Sequence, residues 1–238
     1  MDKFLQKINS LKKTVCFSIL FGFSFFSGAQ TPSFVENIRF PVWAEVDAYP
    51  GLAIPENQEE FGEECSYAIG RITEIVPFLV NGMVYGWKFV YVPSDKARGV
   101  EEYFEIQEIQ SEDLVKNGIK YSETWIEDGK LNCWVDYKRT QDQIQSYKLW
   151  SSIENPAIQG RGYGKIEDGF DGIKKASEDA LKNAVRDYYR KMIKNKPKEI
   201  TGSVLIRRAP LLGIDSGRYA INLDFFLEYG RIKMYTQF

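Results

Sequence analysis

The chain has 238 residues, no histidine, three cysteines and a formal net charge of −2, with hydrophobic residues at 44% and aromatic residues at 15%. Without histidine, the usual general base, the Ser-His-Asp and Cys-His arrangements and the commonest metal ligand are all missing, and no catalytic, cofactor-binding or metal-ligating set stands out. The slight acidity argues against nucleic acid as a partner, and the aromatic content argues for a folded body rather than a disordered one.

The N-terminus reads as a targeting segment. Lys3, Lys7, Lys12 and Lys13 form a positive region, an apolar and small-residue run spans 15–26, and Ser27-Gly28-Ala29 offers small residues for cleavage, so residues 1–29 are expected to be a signal peptide. The run falls short of the ~20 residues of a transmembrane helix, so no span is expected after cleavage. Cys16 follows Lys12-Lys13-Thr14-Val15, which lacks the leucine and small residues that precede a lipid-attachment cysteine. The expected location is periplasmic or secreted, with association to the outer membrane. Losing four lysines and Asp2 leaves the mature chain more acidic, which also disfavours anionic lipid. Cys65 and Cys133 remain. Outside the cytoplasm such a pair is a candidate disulfide, with two separate free thiols as the alternative.

Residues 31–57 start extended, with Phe34, Ile38 and Phe40 leading into a strand at 42–46. Phe61, Cys65, Ala68, Ile72, Ile75 and Leu79 recur at helical spacing and predict a helix over 56–79. Glu59, Glu60, Glu63 and Glu64 suit its first turns, and Pro77 kinks or ends it. Asn81-Gly82 then signals a turn before a strand at 83–92, whose Tyr85, Trp87, Phe89 and Tyr91 share a face. A further strand is expected at 100–109. Glu127-Asp128-Gly129 joins alternating runs at 121–126 and 130–138, a strong hairpin signal. Thr140 caps a helix carrying Ile144, Tyr147 and Trp150 that stops at Asn155-Pro156.

A long helix is predicted over 171–194, with Ile173, Ala176, Ala180, Ala184 and Tyr188 on one stripe. Its alanines leave a shallow groove, so it can lie close to a sheet. Strands at 201–208 and 218–229 follow, separated by the turn-rich stretch 209–217; the second carries Tyr219, Ile221, Leu223, Phe225, Leu227 and Tyr229 on one face. Helix followed by two strands thus occurs twice. The fold class read from this is α+β: largely antiparallel sheet with amphipathic helices packed on one face. The regions are 30–155 and 156–238, separate or continuous with each other.

Gly160-Arg161-Gly162-Tyr163-Gly164-Lys165 is not a phosphate loop, because Gln159 stands where its first glycine belongs and Ile166 where Ser or Thr should follow the lysine. A glycine-rich turn or bulged strand passing close to the helix is the simpler reading. Glu167-Asp168-Gly169-Phe170-Asp171-Gly172 lacks the alternating acidic spacing of a calcium loop. Glu101, Glu102, Glu105, Glu108 and the Glu59–Glu64 run hold the carboxylate pairs that a hydrolase would need. Tyr85, Trp87, Tyr91, Trp125 and Trp134 are the candidate binding aromatics, able to stack on a sugar ring or a partner protein where they are exposed. The final alternating residues read as an edge strand that could pair with another copy.

Gly162-x-Gly164, the helix with Ala176, Ala180 and Ala184 followed by Arg186, and the terminal strand pair make residues 162–226 resemble the small domain of bacterial outer-membrane lipoproteins and flagellar-assembly proteins of the cell envelope. The resemblance implies a non-enzymatic part of an envelope assembly. The chain departs from those lipoproteins in lacking the lipid-attachment cysteine. The expected function is an exported envelope component with a structural or protein-interaction role, its partner an envelope protein or a second copy. The alternatives are a glycan- or peptidoglycan-binding module and a carboxylate-dependent hydrolase.

Overall fold

The computed structural model describes residues 34–46 and 65–235. The expected signal peptide, the acidic turns Glu59–Glu64 and the last three residues lie outside the described residues. Within them, Phe34 onward forms one compact unit.

At its centre lies helix α1 (Ser66–Val84), which follows strand β1 (Asn37–Glu45). It continues through Pro77 and through Asn81-Gly82, so the expected turn and the start of the expected strand are helix instead. The reason is burial: every residue from Ile75 to Val84 is buried, and a segment apolar on all sides belongs in a core. Asn81 donates its side-chain amide to the Gln110 carbonyl (2.9 Å) rather than making a turn. Gly82 is a packing residue, since a Cβ there would come within 2.7 Å of the Trp87 ring and of Ile206.

Two antiparallel sheets enclose this helix where one was expected. Strand β1 pairs with β5 (Lys130–Lys138), which pairs with β4 (Ile119–Glu127), giving a three-stranded sheet in the order β1-β5-β4. Ile38, Phe40, Val42 and Ala44 on β1, with Leu131, Cys133, Val135 and Tyr137 on β5, turn inward and are buried. The second sheet consists of β2 (Trp87–Val92), β3 (Tyr103–Glu108), β6 (Ala157–Lys165), β7 (Glu199–Ile206) and β9 (Arg218–Lys233) in the order β3-β2-β7-β9-β6, with β8 (Leu211–Asp215) also on β9. The single-turn helix α2 (Asp113–Lys116) lies between β3 and β4 in the chain. Both helix–strand–strand units lie in this one sheet, because β2 pairs with β7. Strands from both sides of residue 156 therefore share it.

Helix α4 (Phe170–Met192) shows how closely a helix and a strand can pack. Gly160, Gly162 and Gly164 alternate on one face of β6, a regular strand paired with β9 and neither a turn nor a bulge. A Cβ on Gly160 would meet the Ala180 carbonyl oxygen at 2.0 Å, one on Gly162 the Ala176 oxygen at 2.1 Å, and one on Gly164 the Gly172 oxygen at 1.8 Å. Four residues of strand rise by about 13 Å and eight residues of helix by about 12 Å, so the two runs of small residues stay in step along the contact. The contact is backbone against backbone.

Helix α3 (Gln141–Trp150) lies on the opposite face of the larger sheet, where Tyr147 meets Phe226 edge-on at 5.8 Å. Helices therefore cover both faces of that sheet. Thr140 and Gln143 form the expected N-terminal cap as a reciprocal capping box. Just before it, the buried Arg139 donates to the carbonyls of Phe34 (2.7 Å), Val35 (3.1 Å) and Met83 (2.8 Å). It thereby ties the β1 approach to the C-terminal turn of α1, where a cation suits the helix dipole. Burial lowers its pKa to about 10.

The candidate disulfide is not formed: Cys65 and Cys133 are free thiols. Cys133 is buried in the β1–β5 ladder opposite Val42, while Cys65 stands at the N-terminus of α1, half-buried. Burial pushes the Cys133 thiol up to about 11, which keeps it protonated and unreactive. As a test of the glycine contact, G162A should destabilise the protein by about 3 kcal/mol or prevent folding. G213A, where a Cβ would meet nothing within 4 Å, should stay near wild type in the same urea denaturation.

Candidate binding surface

The five candidate aromatics divide into two groups. Trp87 is fully buried and stacked on Phe78 at 4.9 Å. Tyr91 is also core, and its hydroxyl donates to Glu102 (3.0 Å). Tyr85 caps α1, half-buried, and its hydroxyl accepts from the Gln143 amide (3.0 Å). These three do not make a binding face, because β2 turns its aromatic side onto the helices and Tyr85 stands at the C-terminal cap of α1, ahead of the strand. Tyr229, expected on the buried face of β9, is 47% exposed because β9 runs past the end of β6 there.

Trp125 and Trp134 fall on the outer face of the three-stranded sheet. Residues opposite one another in an antiparallel ladder point to the same side, so the register defines rows across the strands. Trp43, Asn132 and Trp125 form one row; Pro41, Trp134 and Ser122 form the next; Arg39, Asp136 and Lys120 form the third. Trp43 is the member that sequence reasoning passed over. Its alternation against the buried Val42 and Ala44 already marks it as outward, but only the register places it in line with Trp125.

Charged groups are interleaved with the rings. The Arg39 guanidinium lies 4.9 Å from the Trp134 ring centre, 3.0 Å from Glu123 and 3.6 Å from Asp136. Lys130 lies 4.2 Å from the Trp43 ring centre, and the Trp43 indole N–H donates to the Leu212 carbonyl (3.0 Å). The β4 register shifts between Ser122 and Trp125, and Glu123 within that bulge has φ +51°. A left-handed glutamate is uncommon, and bulges re-aim the side chains beside them. Here the bulge puts Trp125 on the outer face, 38% exposed. It also disrupts the free edge of β4, which makes strand addition there unfavourable. The face, rather than the edge, is suited to contact.

The acidic residues do not converge as a run. Glu101, Glu102 and Glu105 are exposed; Glu102 lies 3.9 Å from Lys182, which also pairs with Asp179 at 2.9 Å. Glu108 alone is strongly perturbed. Burial, a hydrogen bond with Glu112 and the charge of Glu112 raise its pKa to about 7, against an opposing pull from Lys174. Its partner Glu112 lies outside the predicted strand and was missed for that reason. Among the described residues no group of three or more His, Cys, Asp or Glu could hold a metal ion, and no helix is long and apolar enough to cross a membrane.

The raised pKa has a definite sign in stability. The folded Glu108 carboxyl keeps its proton to about 7, whereas an unfolded glutamate releases it near ~4.3. Folding therefore takes up a proton between those values, and this contribution to stability is lost as pH rises through that window. E108Q should have a higher denaturation midpoint than wild type at about pH 8 and converge with it at about pH 4. Parallel pH profiles for the two proteins would contradict the assignment.

No solved structure matches the chain. A Treponema pallidum (strain Nichols) protein described as "Uncharacterized protein" is 26% identical over 201 residues, covering 84% of this chain and 82% of its own length. A protein-family model that carries no functional description matches residues 24–235, and the chain belongs to that family.

Proposed function

We propose that the protein is an exported, non-enzymatic component of the cell envelope that binds a protein partner through the outer face of its three-stranded sheet. One observation carries this reading: Trp125 and Trp134 share the outer side of a sheet whose other side is already core, with Trp43 in the same row as Trp125 but half-buried against Tyr219 and Leu212. Covering Trp125 and Trp134 would bring on the order of 2 kcal/mol of apolar burial, and the flanking Arg39, Glu123 and Asp136 provide a polar rim of the kind found around interface anchors. Export is supported by the lysine-rich start, the apolar run and the small residues at 27–29. The absence of histidine supports a binding role over a catalytic one.

A second reading is favoured by the row Trp43–Asn132–Trp125, in which an amide stands between two indoles. Aromatic faces with neighbouring amides and carboxylates suit the flat side and hydroxyls of a sugar, and in the envelope that sugar would belong to peptidoglycan. The two readings separate experimentally. A photo-crosslinking residue at Trp125 in native cells should capture a discrete protein, and one at the exposed Gln145 of α3 should not. Tryptophan fluorescence that shifts with peptidoglycan fragments, without a protein crosslink, would favour the sugar. Neither signal would refute the face as the working surface.

A further inference from the structure

A cleft of about 590 Å³ opens at the far end of α4, between that helix, the end of β2 and the segment leading into β7. Its wall includes Arg186, Arg190 and Lys194, with Glu102 as its one carboxylate. The net charge of the chain is negative, so this is a local reversal of sign. Glu102 is already engaged by the Tyr91 hydroxyl (3.0 Å) and Lys182 (3.9 Å). Among the described residues Arg190 and Lys194 make no ion pair, and Arg186 makes one, from its Nε to Asp187 at 3.8 Å.

Cations at a helix C-terminus ordinarily complement the dipole, and that accounts for Arg190 and Lys191 in the last turn. It does not account for Arg186, which sits further in, where the dipole effect has faded. Nor does it explain two buried polar atoms that make no hydrogen bond: the hydroxyl of Tyr189, a residue only 4% exposed that also lines the cleft, and Arg186 Nε, which has Asp187 only at 3.8 Å. Buried donors left unmade are costly and call for a partner. Arg186 and Arg190 both line the cleft with Tyr91, and the charges of both act on its hydroxyl. The volume lies within the range of small-molecule sites.

We propose that this cleft binds a small organic anion, a phosphomonoester or a carboxylate, with Arg186 and Arg190 holding the oxyanion. The guanidinium pair suits either group, since both present oxygens in the plane that a guanidinium fork reaches. The site is separate from the tryptophan face and does not depend on it. Calorimetric titration of the full purified chain with phenyl phosphate and with benzoate, at physiological ionic strength, distinguishes the two classes. Saturable binding of at least one probe is expected. R190Q, an exposed change that should not disturb folding, should weaken it about tenfold or more. R186Q should do the same, and K148Q on α3 should bind as wild type. Absence of saturable binding by both probes, or an R190Q affinity equal to that of wild type, would overturn the proposal.

Discussion

The architecture depends on the burial of the C-terminal half of α1. From Ile75 to Val84 no side is left for solvent, so the helix needs apolar cover from more than one direction. The inner faces of β1 and β5 supply it on one side, and the larger sheet with α4 supplies it on the other. This division settles the chemistry of the outside as well. A three-stranded sheet with one face committed to α1 turns its other face outward; Trp43 on that face packs against Leu212 and Tyr219, and Trp125 and Trp134 lie beyond it.

Two further contacts lock the arrangement. The glycines of β6 let α4 rest on the strand backbone, which holds the helix at a fixed distance and in a fixed register along it. Arg139 gathers three carbonyls from the β1 approach and from the end of α1, charge-assisted bonds that replace the water each carbonyl loses on burial. The same two contacts position the surfaces described above. Arg139 joins β1 to α1, and so fixes the sheet that displays the tryptophans. The β6–α4 contact sets the line along which α4 reaches the basic cleft.

Much of this was legible where local pattern and final environment agree. The hairpin at Asp128-Gly129, the Thr140 cap, the small-residue stripe of α4 and the apolar face of β9 could all be read from spacing. The α+β class followed from their order. What could not be read depended on distant contacts. Asn81-Gly82 has the local chemistry of a turn and is helical because Trp87 and Ile206 close around it. Strand β8 looks like linker because its apolar residues are mostly exposed and only its ladder with β9 holds it extended. A strand made of alternating glycines carries no hydrophobic signal, so β6 could not be distinguished from a turn. The tryptophan face likewise needed the register: alternation marks each ring as outward, but which rings meet is decided by pairing between strands far apart in sequence.

On this reading the tryptophan face is the part of the surface that is covered when the protein is at work. Hydroxyl-radical footprinting, comparing purified protein with protein in intact cells, tests this most directly. Trp125 and Trp134 should be oxidised in the purified protein and protected in cells, while Trp87 should be protected in both. Equal oxidation of Trp125 and Trp134 in the two settings would contradict it.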